Sequence, residues 1–286
     1  MKHALPCLLL AASALAWPGL SRSETFHACT GFIDSLPAVI ATQGTWCLRR
    51  DLSTAVASGN AITIATNNVT IDCNGYKIGG LAAGTGTNVA GIHAHDRMNA
   101  TVRRCSIRGF AWGIRLWFGG GYLVEHNQLQ LQTIGGIGVV GAGSMVRDNR
   151  VADTGGSSTH MHEVFGIYAL DGVDVLDNTI NGVVPSSTSA YAYGIHTADN
   201  GDGTVSDNRV REVSSGGTGK SFGIASSFSP GQVLHGNHLQ GSGVGVAGGV
   251  GIYCSDSRES AHANVITGFQ IAIDNCLSSS NHVNPN

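Results

Sequence analysis

Val146-Arg147-Asp148-Asn149-Arg150-Val151 and Val175-Leu176-Asp177-Asn178-Thr179-Ile180 are two copies of one pattern, apolar-x-x-Asn-x-apolar. It recurs as VEHNQL around Asn127, VSDNRV around Asn208, LHGNHL around Asn237 and ANVI around Asn264, and VRRCSI puts Cys105 in the same slot. The slots lie 22, 22, 29, 30, 29 and 27 residues apart. A constant core with a variable insert is the mark of a repeat architecture.

A second element alternates with the first. Gly-Ile occurs at Gly91-Ile92, Gly113-Ile114, Gly136-Ile137, Gly166-Ile167, Gly194-Ile195, Gly223-Ile224 and Gly251-Ile252, with Ala272-Ile273 last. From each Gly to the following slot is 12 to 14 residues; from slot to next Gly is 8 or 9 in the early coils and the last, but 14 to 17 between Asn149 and Gly251. Short β-branched runs punctuated by Gly and Asx turns cannot each bury an apolar face, but stacked coil on coil they share one core. The pattern predicts an all-β fold, a single-stranded right-handed parallel β-helix with three short strands per coil, coils about 4.8 Å apart, and a rod on the order of 40 Å long. The Asn side chains are expected as an inward ladder bonded to the backbone of neighbouring coils, the alternative being plain surface turns.

The 286 residues are 42% hydrophobic and 12% charged, with 41 Gly and 6 Pro. Scarce charge and scarce proline argue against disorder. A net charge of -3 supplies no basic field, so nucleic acid is excluded as a partner. Residues 1–23 read as a secretion leader: Lys2, an apolar run from Ala4 to Trp17, then small and polar residues. The run is too short for a membrane span, so a secreted or periplasmic protein is expected. Loss of Lys2 and Arg22 with the leader takes the charge from -3 to -5. Cys7 goes too, and six cysteines remain in an oxidising compartment. Cys73 with Cys105 and Cys254 with Cys276 lie at similar places in successive coils, which leaves Cys29 with Cys47.

The segment NNVTIDCNGYKIGG at 67–80, followed by coils such as VRDNRV and VLDNTI, resembles the right-handed parallel β-helix repeat proteins of the pectate-lyase-like superfamily. SLPAVIATQGTWCLRRDL at 35–52 is similar to the lead-in of secreted members. The resemblance implies a cap and lead-in over 24–59, coils over 60–277 and a tail at 278–286, the cap covering an open sheet edge. It also places a cleft on the outer face of the strand that follows the long loops, here the Gly-Ile strand. The aspartate-rich sets of the polygalacturonase branch, the acidic calcium cluster of pectate lyases and the Asp-Pro-His-Asp of alginate epimerases are not found, and fold alone does not carry function.

If each Ile points inward, the next residue points outward. That file reads His93, Arg115, Gly138, Tyr168, His196, Ala225, Tyr253, Asp274. The insertions 153–164, 182–193, 213–222 and 241–250 are expected as a wall beside it, contributing His160, His162, Glu163, Tyr191, Tyr193 and Lys220 to substrate binding along with His93 and Tyr253. For a uronate polymer, β-elimination needs a neutralising group and a base: His196 or Tyr168 as base, Arg115 or Lys220 as neutraliser. A hydrolase would need two carboxylates, for which Asp171 and Asp199 on adjacent coils are candidates, though Asp-Gly and Asp-Asn-Gly also start ordinary turns. No metal set is complete. His93-x-His95 and His160-x-His162-Glu163 lack further ligands, and Asp199-Asn200-Gly201-Asp202-Gly203 lacks the full pattern of a calcium loop, so no cofactor is expected and calcium alone stays open. The expectation is a monomer that binds an extended polysaccharide and cleaves or epimerises it, against the alternative of a non-catalytic envelope or carbohydrate-binding rod.

Overall fold

The structure, a computed structural model, describes residues 29–242 and 248–284. The leader expected at 1–23 lies outside the described residues. Three parallel sheets of 11, 10 and 10 strands wind around one interior, each strand pairing with its equivalents one coil before and after. This is a parallel β-helix. The third sheet carries the Gly-Ile strands, among them Ala90–His95, Trp112–Trp117, Gly135–Val140, Glu163–Leu170, Tyr191–Ala198, Ser221–Ser227 and Gly249–Cys254.

Inside, each sheet contributes one file of aliphatic residues in register. Ile92, Ile114, Ile137, Ile167, Ile195, Ile224 and Ile252 form one. Val102, Val124, Val146, Val175 and Val205 face them from the first sheet, and Ile107, Leu129, Val151, Ile180 and Val210 from the second. All are essentially fully buried. At about 1.5–3 kcal/mol per buried aliphatic side chain, the shared core is what no single coil could build.

The glycine before each Ile has a steric cause. Both residues of the pair face inward at a bend, and the next coil's carbonyl closes over the glycine. A Cβ on Gly194 would sit 2.4 Å from Val210 Cγ1 and 2.5 Å from the Gly223 oxygen, and on Gly166 2.4 Å from the Gly194 oxygen.

The asparagine ladder is internal. Each Asn Oδ1 accepts from the backbone N–H and the Nδ2 of the Asn one coil earlier, as from Asn149 to Asn178 and from Asn178 to Asn208. Nδ2 also donates to an earlier carbonyl, for Asn178 that of Val146 at 2.9 Å. The chain runs from Cys105, whose N–H donates to Asn127, to Asn281, which accepts from Asn264. The preceding residue is left-handed, φ 54° at Asp148, 55° at Asp177 and 57° at Asp207. Short polar residues tolerate that region best, which explains the Asp-Asn spelling.

Coil pairing is longer than the expected 60–277. Gly31–Phe32, Ala38–Ile40, Gly44–Cys47 and Leu52–Ser53 already belong to the three sheets, because Ile40, Leu48 and Leu52 extend the interior. At the other end Leu277–Ser279 and His282–Asn284 pair with the preceding coil. The segments expected as cap and tail are thus coils of the helix where described. Three disulfides join Cys29 to Cys47, Cys73 to Cys105 and Cys254 to Cys276, with Cα separations of 5.8, 4.7 and 5.1 Å. Among the described residues no helix is long and apolar enough to cross a membrane.

Candidate functional site

Register on the third sheet sets His93, Arg115, Gly138, Tyr168, His196, Ala225, Tyr253 and Asp274 in one outward file. A second outward file, two residues before each Ile, was not read from the sequence: Trp112, Gly135, Phe165, Tyr193, Phe222 and Val250. Its rings stack along the rod, Phe165 to Tyr193 at 5.3 Å and Tyr193 to Phe222 at 5.1 Å, both 8° from parallel. Trp112 leans across bare Gly135 to reach Phe165 at 5.8 Å. These rings are buried and form a second apolar cluster outside the sheet. Because ring faces are spent on one another, the file presents mainly edges outward and is no stacking platform for sugars. The signal was the same offset from Ile on successive coils; Tyr193 was instead assigned to a loop.

Tyr168 and His196 rest against this layer as direct neighbours. Their ring centroids are 5.5 Å apart, and His196 stacks on Tyr193 at 4.6 Å. His196 Nε2 lies 3.3 Å from Ser227 Oγ, while Nδ1 is buried without a partner. Burial pushes the imidazole down to about 4, so it is neutral at neutral pH. Burial, then the charges of Glu163, Asp199 and Asp171, push the Tyr168 phenol above its usual range. Tyr193 is raised likewise, by burial and Glu163 first. The pair therefore sets a neutral imidazole, with one donor and one acceptor nitrogen, beside a protonated phenol.

Arg115 does not join them. It sits two strands from Tyr168, with Gly138 between, which is about 10 Å. Its guanidinium lies 4.9 Å over the Trp117 ring, and burial lowers its pKa. His93 Nδ1 lies 3.1 Å from the Arg115 carbonyl and 3.4 Å from Arg115 Nε, donating to the first or accepting from the second according to its tautomer. Burial and the neighbouring Arg115 charge push His93 down to about 4.

Three of the long inserts hydrogen-bond coil to coil into a wall; residues 243–247 of the fourth, 241–250, lie outside the described residues. Ser158 N–H donates to Thr85 at 3.2 Å, the Ser186 hydroxyl to the Ser157 carbonyl, and Thr218 N–H to Thr188 at 2.9 Å. His160 and His162 lie on this wall, their rings edge to face at 5.9 Å. Glu163, Tyr191 and Tyr193 belong instead to the strands, and Lys220 directly precedes one. Tyr191, Tyr193, Lys220, Tyr253 and Asp274 line an open depression of ≈ 300 Å³ at the far end of the face. Another depression, of ≈ 400 Å³ on the first sheet, is laced by ion pairs: Arg103 to buried Asp72 at 2.9 Å, and Arg147 to Glu125 at 2.7 Å.

Asp171 and Asp199 occupy turns in the left-handed region, φ 65° and 47°. The following Asn200 is buried and bonds both backbone groups of Val173, so the Asp199–Gly203 run works as a structural turn. Among the described residues no three His, Cys, Asp or Glu side chains gather as a metal set.

No family model matches the chain, and no curated protein matches it by sequence. Solved structures do. DFA-IIIase from Arthrobacter chlorophenolicus A6 in complex with GF2 matches at TM-score 0.50 and 15% identity over 83% of this chain and 61% of that one. Alginate lyase from Paenibacillus sp. str. FPU-7 matches at TM-score 0.42 and 11% identity, over 87% and 96%. A mannuronan C-5 epimerase AlgE4 A-module from Azotobacter vinelandii gives TM-score 0.41 and 13% identity, over 87% and 85%. The chain spans about three fifths of the length of DFA-IIIase. What the chain shares with DFA-IIIase is the fold, the right-handed parallel β-helix.

Proposed function

We propose that this is an exported protein that binds an extended carbohydrate along the outer face of the Gly-Ile sheet, with Tyr168 and His196 at its centre. One observation carries the reading: a protonated phenol and a neutral imidazole are fixed side by side on a rigid sheet. Hydroxyl-rich ligands need paired donors and acceptors in fixed places. Three disulfides and the leader-like first 23 residues support export. The carbohydrate-active neighbours of this fold agree with a carbohydrate ligand.

Catalysis is the second reading, favoured by the neutral His196. A base must be unprotonated and a proton donor protonated, so His196 would take a sugar proton and Tyr168 would give one. For uronate β-elimination the neutraliser must act on the carboxylate of the sugar that loses its proton; Arg115, about 10 Å from Tyr168, does not reach that unit, which leaves the neutralising group unassigned. For hydrolysis, Asp171 and Asp199 stand at left-handed turn positions just past the strand ends.

The test is incubation with pectins, alginates, glycosaminoglycans and neutral glycans, with and without calcium, following binding, unsaturated uronate and reducing ends together. Binding without product supports the binding rod. Unsaturated product lost in His196→Ala establishes elimination, reducing ends alone redirect attention to Asp171 and Asp199, and silence in every channel overturns the reading.

A further inference from the structure

The face that carries the ligand is electrostatically divided. The segments Glu163–Asp171 and Tyr191–Asp199, which hold Tyr168 and His196, contain three carboxylates, Glu163, Asp171 and Asp199, and no Lys or Arg. Glu163 opens one strand; Asp171 and Asp199 follow the ends of both. All three are near enough to act on the Tyr168 phenol. The strand between this pair and Arg115, Gly135–Val140, has no ionisable side chain.

Arg49, Arg103, Arg104, Arg147 and Arg258 are each held by a carboxylate; Arg115 is among those that are not, and its Nε points at the neutral His93 Nδ1, 3.4 Å away. Among the described residues no carboxylate comes within ion-pair reach of Arg115, although its guanidinium is partly buried against Trp117. A partly desolvated cation without a counter-ion favours an arriving anion, and the planar fork suits a carboxylate.

We infer that the outer face takes a neutral sugar unit at Tyr168 and His196 while holding a carboxylate of the same chain at Arg115, so that its ligand is a mostly neutral glycan with sparse uronate units. This rests on the carbohydrate-binding reading of that face above and narrows it. A polymer charged at every unit would bring a carboxylate against Glu163, Asp171 and Asp199; an uncharged polymer would leave Arg115 unanswered. The two zones lie two strand spacings apart, about 10 Å along the rod.

The experiment is calorimetric titration with four probes: cellohexaose, a neutral hexasaccharide bearing one glucuronate, hexagalacturonate and hexaglucosamine. The singly charged probe is expected to bind about tenfold tighter than either cellohexaose or hexagalacturonate. Arg115→Gln should bring it to the cellohexaose level. The triple variant Glu163→Gln, Asp171→Asn, Asp199→Asn should gain affinity for hexagalacturonate, a gain that misfolding cannot imitate. Wild-type preference for hexagalacturonate or for cationic hexaglucosamine overturns the zone assignment and leaves the carbohydrate-binding reading standing. If none of the four probes nor any polymer binds, the carbohydrate-binding reading falls and this inference with it.

Discussion

The imidazole of His196 lies 4.6 Å from the ring of Tyr193, 13° from parallel to it, within one strand. Two residues normally separate such side chains to opposite faces, but Gly194 and Ile195 both turn inward, which returns His196 to the face of Tyr193. The stack is what keeps the imidazole neutral, and it gives an acid-sensitivity prediction. Unfolded, the ring takes up a proton as pH falls below about 6.5; folded, it does so only near 4. Between those values the unfolded state holds more protons, so stability falls as pH drops through the window, by roughly 3 kcal/mol at most. His196→Phe keeps the stack and removes the titration. Urea midpoints from pH 7 to 4 should decline less steeply in the variant, the remaining slope including the share of His93, which is also held near 4. An unchanged slope would sink the assignment.

Asn178 is a fully bonded rung of the ladder, as are Asn149 and Asn208. Its Oδ1 accepts two bonds from Asn149, and its Nδ2 donates to Val146, Leu176 and Asn208, all in a buried site. Asn178→Ala strands a backbone N–H and carbonyls, at about 1–3 kcal/mol each. A loss of roughly 3–5 kcal/mol by denaturant unfolding is expected. Asn281→Ala, at the partly exposed last rung, should cost less than half as much; equal losses would contradict a ladder that is strongest inside.

The repeat was legible because two of its devices admit few spellings. The ladder requires Asn, whose amide both donates and accepts, so Asn149 and Asn178 announce themselves; the bend requires Gly, so Gly166 and Gly194 do as well. Once those fix the register, the outward file through Tyr168 and His196 follows by counting. The aromatic file was not legible, because Trp112, Phe165, Tyr193 and Phe222 alternate with nothing conspicuous, and their stacking depends on bare Gly135. Asn281 was missed because only 17 residues separate it from Asn264. Arg115 was grouped with Tyr168 although the file itself, with Gly138 between them at about 4.8 Å per coil, sets them too far apart for one sugar.

Gly194→Ala tests the bend. The added Cβ would meet backbone at 2.5 Å, which nothing flexible can relieve. A destabilisation above about 2 kcal/mol is expected, at the severe end of overpacking. The control is Gly143→Ala, at φ 64° with open space around it, where only left-handed strain applies and about 1 kcal/mol is expected. If Gly194→Ala proved the milder of the two, the bend would not be sterically closed.

Glu259 is fully buried near the C-terminal end. One carboxyl oxygen accepts from Ser229 N–H at 2.9 Å, and the other has no hydrogen-bond partner. Burial raises its pKa, only partly opposed by the Ser229 N–H. Below the unfolded value both states carry the proton, and the stability that goes with the protonated carboxyl is fully present. As pH rises, the unfolded chain gives up its proton first while the folded one retains it, so the stabilising share of the protonated carboxyl is lost as pH climbs towards and through the folded value. Glu259→Gln keeps an acceptor for Ser229, puts a donor where the second oxygen was, and has no proton to lose. The variant should therefore melt close to wild type at pH 4 and above it at pH 7, the gain widening steadily between. A gain of the same size at both pH values would show that better hydrogen bonding, not ionisation, is responsible; a loss at pH 7 would show that the site is built for the carboxylate.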